Sequence, residues 1–356
     1  MTAQLAVLRD DLLAERQRLY GRQAPAPADA WRGVFTDGRV APAGDWILDE
    51  PIEVPAVWGA GTDVLWSQGE ALWIVAPEGL GKTTLAQQLL LRRIGVRPGE
   101  LLGLPVTPAT RPVLYIAADR PRQAARSFGR MVSDEHRSLL NDRLYRWRGP
   151  LPFDAAQEPE RLAEMAQTLG VGTVVIDSVK DIALDLSKDE TGGRLNLCFQ
   201  HVTANGVELV VLHHDRKPAG DAQSKPRTVA DVYGSRWLTA GAGSVIYLAG
   251  EAGDTLVTLL HLKPVAEKVG PLKLLHDHRA GTTSLHDGAN LEDLLRTSTG
   301  GLAVRDAAAA LNDTTSPKAN QVEATRRRLD RLVTAGKATK TMAAANGEPV
   351  TYRSAA

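Results

Sequence analysis

Short runs of consecutive apolar residues, separated by segments with apolar residues at helical spacing, fill the middle of this chain. The runs are hydrophobic at every position rather than at alternate positions, which is typical of parallel strands covered on both faces. We predict strands at residues 72–75, 111–119, 144–147, 173–178, 207–215, 244–248 and 255–262. Helices are predicted at 84–90, 122–131 and 159–169. This alternation indicates an α/β fold with a doubly wound, mostly parallel sheet, helices on both faces, and functional residues at the carboxyl ends of the strands.

A glycine-rich turn joins the first of these strands to the first helix. Its residues are Ala76, Pro77, Glu78, Gly79, Leu80, Gly81, Lys82, Thr83 and Thr84. Backbone N–H groups of such a turn, together with the positive end of the following helix, can surround a phosphate group. Lys82 is then placed to contact the β- and γ-phosphate oxygens, and the hydroxyl of Thr83 to hold Mg²⁺. The pattern predicts a binding site for ATP and Mg²⁺.

One position departs from the usual form of this turn. Its first glycine is replaced by Ala76, whereas Gly79 and Gly81 keep the positions where a positive φ or a close backbone approach is needed. An apolar run precedes the turn and a helical pattern follows it, so the context that the motif requires is present on both sides. We therefore interpret it as a phosphate-binding loop rather than an incidental surface turn.

Two aspartates stand at the ends of predicted strands. Asp177 follows a run of apolar residues, the position of the carboxylate that helps to hold Mg²⁺ in nucleotide hydrolases, so we assign it to the metal together with Thr83. Asp119 is a candidate for orienting or deprotonating the water that attacks the γ-phosphate. Asp is also a favoured N-cap, and a helix is predicted to begin directly after Asp119, so capping is its alternative role.

Two adjacent histidines and an aspartate, His213, His214 and Asp215, follow another predicted strand. Imidazoles and a carboxylate suit Zn²⁺ or Mn²⁺, but adjacent strand residues point to opposite faces and no other ligand cluster accompanies them. We favour a role in which one histidine contacts the γ-phosphate or the catalytic water. When the γ-phosphate is lost, this histidine would transmit the change to the loop at 216–233. That loop contains Lys217 and further basic residues, and it is a candidate for contact with DNA.

Charge and composition limit the classes of function. The sequence contains 42 Lys and Arg residues and 42 Asp and Glu residues, so no overall charge favours nucleic acid or a membrane surface. Cys198 is the single cysteine, which excludes an intramolecular disulfide and a primase-like zinc cluster. No apolar run approaches the roughly 20 residues that a bilayer span needs, and the first residues do not resemble a secretory signal. We expect a cytoplasmic protein without membrane contact.

Leucines at helical spacing between residues 5 and 19 predict a short amphipathic helix, and the Pro/Ala stretch at 23–28 a linker. This helix either packs on its own domain or docks on a neighbouring subunit. At the other end of the chain, short helices are predicted at 291–296, 304–311 and 321–334, and Asn-Gly at 346–347 lies between two short extended runs, which is typical of a hairpin.

Three helices followed by a hairpin resemble a winged helix, in which the third helix enters the major groove of DNA and the hairpin contacts the backbone. Basic residues cluster on the third helix and the hairpin: Arg326, Arg327, Arg328, Arg331, Lys337 and Lys340. This cluster supplies locally the positive charge that the whole chain lacks, so we expect DNA binding there. Winged helices also mediate protein contacts, which is the alternative.

The order of phosphate loop, strand-end acids, histidine pair and Val232 to Ser235 resembles the RecA-like ATPases, and among them the plasmid RepA-type hexameric helicases and their phage-borne relatives. The resemblance covers about residues 46–285. It implies ATP hydrolysis between subunits of a homo-hexamer, a basic residue of the neighbour at the γ-phosphate, and single-stranded DNA threaded through a ring. Lys263 looks like the lysine of that group, and Lys217 and Lys268 are further candidates. A glutamate usually occupies the place of Asp119 in the family.

We therefore expect an N-terminal helix and linker at 1–45, a RecA-like ATPase domain at 46–285 and a winged-helix domain at 286–356. The expected function is that of an ATP-driven DNA motor of the hexameric helicase kind. Two alternatives remain: a DNA-binding ATPase that loads or regulates other replication proteins, and a recombination-type ATPase that forms filaments.

Overall fold

The structure is a computed structural model. It describes residues 43–51, 53–118, 120–215, 228–229, 232, 234–250, 253–277, 279–286, 291–298, 300–312, 314–341 and 350–355. The helix predicted at 5–19, the Asn-Gly turn and the candidates Asp119 and Lys217 lie outside the described residues.

Sixteen strands are described. In chain order they are β1 (Ala56–Ala60), β2 (Asp63–Ser67), β3 (Ala71–Ala76), β4 (Gly99–Leu101), β5 (Leu104–Val106), β6 (Val113–Ala117), β7 (Leu144–Trp147), β8 (Thr173–Asp177), β9 (Glu208–His214), β10 (Ser244–Ala249), β11 (Leu256–Lys263), β12 (Leu272–Asp277), β13 (Thr282–Leu285), β14 (Leu302–Ala303), β15 (Ala338–Thr341) and β16 (Thr351–Ser354).

The described α-helices, also in chain order, are α1 (Ala43–Leu48), α2 (Lys82–Arg93), α3 (Pro121–Gly129), α4 (Arg137–Arg143), α5 (Arg161–Thr168), α6 (Asp189–Ala204), α7 (Leu291–Thr297), α8 (Val304–Leu311) and α9 (Ala319–Thr334). Among them none combines the length and the apolar character that crossing a membrane requires.

A nine-stranded sheet forms the centre of the fold, in the order β13-β12-β11-β10-β3-β9-β8-β6-β7. From β10 to β7 all neighbours are parallel, so the predicted RecA-like, mostly parallel α/β sheet is confirmed. The sequence placed β11 in the same series, and that was wrong: β11 is antiparallel to β10. Residues 250–255 are too few for the crossover of a dozen or more residues that a parallel pair requires.

Alternate residues of the central strand β3 enter different hydrophobic cores. Leu72 and Ile74 lie in one core with Leu85 and Leu89 of α2. Trp73 lies in the other core, with residues of α5 and α6. Both faces of the sheet are therefore covered, which explains why its strands are apolar at every position. This layering brings the start of α2 to the carboxyl end of β3.

A small antiparallel sheet has the order β2-β1-β5-β4. Strands β1 and β2 precede α2 in the chain, and β4 and β5 follow it. The fully buried Trp58 and Trp66 anchor this sheet, because each indole N–H donates to a backbone carbonyl, of Leu101 at 3.0 Å and of Glu70 at 2.9 Å. These tryptophans are therefore core residues whose polar N–H groups are satisfied.

The C-terminal region has a core of its own. Helices α7 to α9 and the three-stranded sheet β14-β16-β15 enclose Leu295, Leu329 and Tyr352. Strands β15 and β16 are antiparallel partners, as predicted for a hairpin, whereas the short strand β14 was not foreseen.

Candidate functional site

The phosphate loop lies between the carboxyl end of β3 and the first turn of α2. Gly79 and Gly81 have φ angles of 86° and 76°, which explains why glycine is needed at these positions. The side chain of Leu80 between them is fully buried in the core. No side chain caps the first turn of α2, so its leading N–H groups remain available to an anion.

Ala76 is the last residue of β3 rather than part of the turn. Its methyl group is fully buried in the hydrophobic core, and its carbonyl accepts a hydrogen bond from the N–H of Asp215 at 3.1 Å. A residue with this strand geometry needs no glycine, so the departure from the usual motif leaves the turn that follows unchanged.

Lys82 is the charged centre of the site. Its side chain is only 5% exposed, and its Nζ lies 3.3 Å from Nδ1 of His214. Burial lowers the pKa of Lys82 from 10.5 to about 8, an effect opposed in part by the charges of Asp177 and Glu78. A buried ammonium with an incompletely balanced charge is well suited to bind phosphate oxygens.

Asp177 is held at the end of β8 by two hydroxyl groups. The Tyr115 hydroxyl donates to Oδ2 at 2.6 Å and the Thr83 hydroxyl at 3.1 Å. Burial raises the pKa of the Asp177 carboxyl, while the two hydrogen bonds and the charge of Lys82 act in the opposite direction. Burial and the neighbouring carboxylate also raise the pKa of the Tyr115 phenol well above its usual value, so Tyr115 remains a donor.

The oxygen atoms of Thr83 and Asp177 fit the donor set that Mg²⁺ prefers. Mg²⁺ is commonly held by one or two protein oxygens, by substrate phosphates and by water rather than by an all-protein cage. In the described part of the chain no three His, Cys, Asp and Glu side chains come together as a metal site. The Thr83 hydroxyl and the Asp177 carboxylate, which lie beside the phosphate loop, are therefore suited to hold a Mg²⁺ ion that binds together with a nucleotide.

The structure separates the two histidines at the end of β9. His214 lines the cleft beside Lys82, whereas His213 is buried on the opposite face, where its ring packs edge-on against Trp73 with centroids 5.8 Å apart. Of the two candidates for sensing phosphate, only His214 reaches the site. The alternation of strand side chains is the cause.

Lys82, Thr83, Asp177 and His214 thus converge on one edge of the sheet. Residues 45–220 match the family model of an AAA domain. The match contains the phosphate loop and all four of these residues, and it supports an ATPase of the P-loop type. Comparison with curated proteins finds no match.

The cleft has a volume of about 630 Å³ and is bordered by side chains that the sequence did not single out. These are Arg120, Gln123, Arg130, Lys180, His276 and Asp277. Tyr115 was missed as well, although a tyrosine within an otherwise apolar strand is a recognisable signal. No local pattern marks His276 or Asp277, because both belong to the unforeseen hairpin of β12 and β13.

Two of the lysines proposed to act on a neighbouring subunit, Lys263 and Lys268, lie away from the cleft. Lys263 ends β11, and its Nζ donates to the carbonyl of Ala240 at 3.1 Å. Lys268 is exposed on the segment that follows. Neither borders the site of its own chain.

The basic residues of the C-terminal region fall into two groups. Arg327 and Arg331 face the domain that contains the phosphate loop. Both pair with Asp63, at 3.5 and 3.4 Å, and Arg327 also pairs with Glu267. Other basic side chains form pairs inside the C-terminal region: Arg326 with Glu323, Lys337 with Glu292 and Lys340 with Asp330. For Arg327 and Arg331 the structure indicates a docking role that the sequence did not suggest.

Proposed function

We propose that this protein is an ATP-driven DNA motor of the hexameric helicase kind, which hydrolyses ATP between subunits. The observation that carries the ATPase part is the convergence of the buried ammonium of Lys82 with the Thr83 hydroxyl, the Asp177 carboxylate and His214. Phosphoryl transfer is catalysed mainly by positioning and charge stabilisation. A phosphate loop, a carboxylate held in place by hydrogen bonds, as Asp177 is, and a polar side chain at the end of a neighbouring strand, as His214 is, meet these requirements.

Each residue has a defined task in this proposal. The backbone N–H groups of residues 78–83 and the Lys82 ammonium bind the β- and γ-phosphates. Thr83 and Asp177 hold Mg²⁺, which when bound stabilises charge on the phosphate oxygens. Asp119 orients or deprotonates the attacking water. His214 contacts both Lys82 and the cleft and therefore registers whether the γ-phosphate is present.

The neighbouring subunit completes the site. A cleft that is not enclosed fits a site shared between two copies of the chain. The candidates to reach into it from the neighbour are Lys217, Lys263 and Lys268. An arginine or lysine supplied in this way contributes orders of magnitude to phosphoryl transfer.

DNA is proposed to contact two regions. One is the basic loop that follows His214 and includes Lys217, since it would couple nucleotide state to DNA directly. The other is the winged-helix-like C-terminal region, through its basic side chains other than Arg327 and Arg331: Arg326, Arg328, Lys337 and Lys340. Alanine at these four positions is expected to weaken DNA binding and to reduce its dependence on salt.

The test measures phosphate release with and without single-stranded DNA, and then strand displacement on a forked duplex. Lys82→Ala is expected to lower hydrolysis at least about 100-fold. Lys273→Ala, which removes an exposed lysine of β12, is the matched control and should behave as the wild type. Undiminished hydrolysis by Lys82→Ala would refute the ATPase assignment.

DNA-stimulated hydrolysis without strand displacement would replace the helicase by the loader or regulator. Imaging of the particle with ATP and single-stranded DNA separates a closed ring from an open filament, and a filament would favour the recombination-type ATPase.

A further inference from the structure

His276 of β12 reaches the phosphate loop from a distant part of the sequence. Its Nε2 lies 2.9 Å from the carbonyl oxygen of Leu80, and the two residues are 196 positions apart. The side chain is buried. Because a carbonyl oxygen only accepts hydrogen bonds, Nε2 must carry the proton and donate.

The ring of His276 is itself held in place by the hairpin and by α2. Its Nδ1 lies 2.7 Å from the Thr283 hydroxyl, which belongs to the residue paired with it across β12 and β13. The backbone N–H of Thr283 donates in turn to Oε1 of Gln88 on α2 at 2.7 Å. A continuous chain of hydrogen bonds therefore connects Leu80 with the helix that follows the loop.

The histidine also leaves no space for a side chain at the next loop residue. A Cβ atom on Gly81 would lie 2.2 Å from Cε1 of His276. Gly81 is therefore required twice, by its positive φ and by the imidazole that packs against it. Such close contact indicates that the ring and the loop fit each other as a unit.

We propose that His276 is a positioning residue for nucleotide binding, acting through the peptide group between Leu80 and Gly81. In a planar trans peptide the C=O and the following N–H point in opposite directions. By holding the Leu80 carbonyl, His276 turns the Gly81 N–H away from the hairpin and toward the phosphate side of the loop. The buried side chain of Leu80 fixes the same residue from within the core.

This inference rests on the proposed binding of ATP, and it predicts a specific kinetic effect. An amide that contacts phosphate equally in the ground state and in the transition state changes KM more than kcat. His276→Leu, which keeps bulk but removes the donor, is expected to raise KM and Kd for Mg-ATP about ten-fold. Its kcat should stay within about two-fold of wild type.

His276→Gln restores a donor near the position of Nε2 and should keep the affinity within about three-fold of wild type. His286→Leu is the matched control, because this histidine follows the same hairpin at a residue that does not border the cleft. It should leave KM, kcat and Kd unchanged. Melting temperatures of all variants show whether they remain folded.

If His276→Leu does not fold, Thr283→Val supplies the test, because it removes the hydroxyl that orients the ring. It should raise KM about three-fold, while Thr283→Ser should not. Wild-type affinity in folded His276→Leu, or equal losses in the Leu and Gln variants, would overturn the proposal. If the His276 variants bind ATP normally but Lys82→Ala does not, only this role of His276 is rejected. If Lys82→Ala also binds ATP normally, the ATPase assignment itself is rejected.

Discussion

The Nζ atom of Lys82 lies 3.3 Å from Nδ1 of His214. An ammonium group only donates, so Nδ1 accepts while Lys82 is charged, and the proton of the neutral imidazole is on Nε2. The phosphate-binding charge and the candidate sensor are therefore directly coupled. Loss of the charge on Lys82 weakens this hydrogen bond, because a neutral amine is a poorer donor than an ammonium.

Nucleotide binding should weaken as the pH rises through about 8, the pKa of Lys82 in the free protein. Bound triphosphate favours the charged form, so above this pH binding must take up a proton. The Kd for Mg-ATP should rise by up to about ten-fold per pH unit between 8 and 10. Titration with a fluorescent ATP analogue measures this, and Lys82→Met should show weak binding without the pH dependence.

The free protein should show the opposite trend in stability. The pKa of Lys82 is lower in the folded state than the ordinary 10.5, so between about 8 and 10.5 the unfolded chain binds the proton more readily. The free energy of unfolding of wild type relative to Lys82→Met should therefore increase with pH in this window. A parallel decrease of affinity and of relative stability would contradict the assigned pKa.

Tyr115→Phe should weaken the metal site without disturbing the core. It removes the 2.6 Å hydrogen bond to Asp177, and the pKa of that already raised carboxyl should rise further. We expect the Mg²⁺ concentration for half-maximal hydrolysis to increase about ten-fold, and more at pH 6 than at pH 8. Tyr145→Phe, at a more exposed tyrosine of β7, is the control. Equal Mg²⁺ dependence in the two variants would rule out this role.

The two adjacent histidines should respond differently to the same substitution. His214→Ala is expected to lower kcat at least about ten-fold and to leave the melting temperature nearly unchanged. His213→Ala removes a buried ring that packs against Trp73 and should cost about 2–4 kcal/mol of stability. Hydrolysis rates and chemical denaturation of both variants check this. A larger loss of kcat in folded His213→Ala than in His214→Ala would reverse the assignment.

Asp63 is expected to hold the C-terminal region on the domain that contains the phosphate loop. Asp63→Ala removes the carboxylate that pairs with the guanidinium groups of both Arg327 and Arg331. It should lower the free energy of unfolding by about 1–3 kcal/mol. High salt should reduce the difference from wild type. Urea denaturation measures the stability and limited proteolysis the docking. Asp134→Ala breaks the exposed pair with Arg137 and should change neither. A neutral result for Asp63→Ala would show that other contacts hold the region.

The sequence was sufficient for the parts of the fold whose pattern is local. Continuous apolar runs identified β3, β6, β8, β9 and β10, because both faces of these strands are buried. Helix α6 was missed, since its glycines and polar residues weaken the periodic pattern. The hairpin of β12 and β13 was also missed, because its strands are short and partly exposed.

The same distinction applies to the candidate site. Lys82, Thr83 and Asp177 belong to motifs whose spacing is fixed by a strand and a turn, so their convergence followed from the pattern. The contact between His276 and Leu80 depends on the pairing of four neighbouring strands, β12, β11, β10 and β3, in the sheet. Likewise, the charge of Arg327 and Arg331 was visible in the sequence, but their partner Asp63 lies in a different region of the chain. Contacts of this kind depend on tertiary structure alone.

Because Ala76 is bonded to the backbone of Asp215, the entrance of the phosphate loop and the end of the strand bearing His214 are linked into one rigid piece. Adjustment to a bound nucleotide is thereby limited to residues that follow Ala76, and among these the core and His276 already restrain Leu80 and Gly81. Ala76, at the first position of the motif, is thus the last residue of the rigid sheet before the loop that binds the nucleotide.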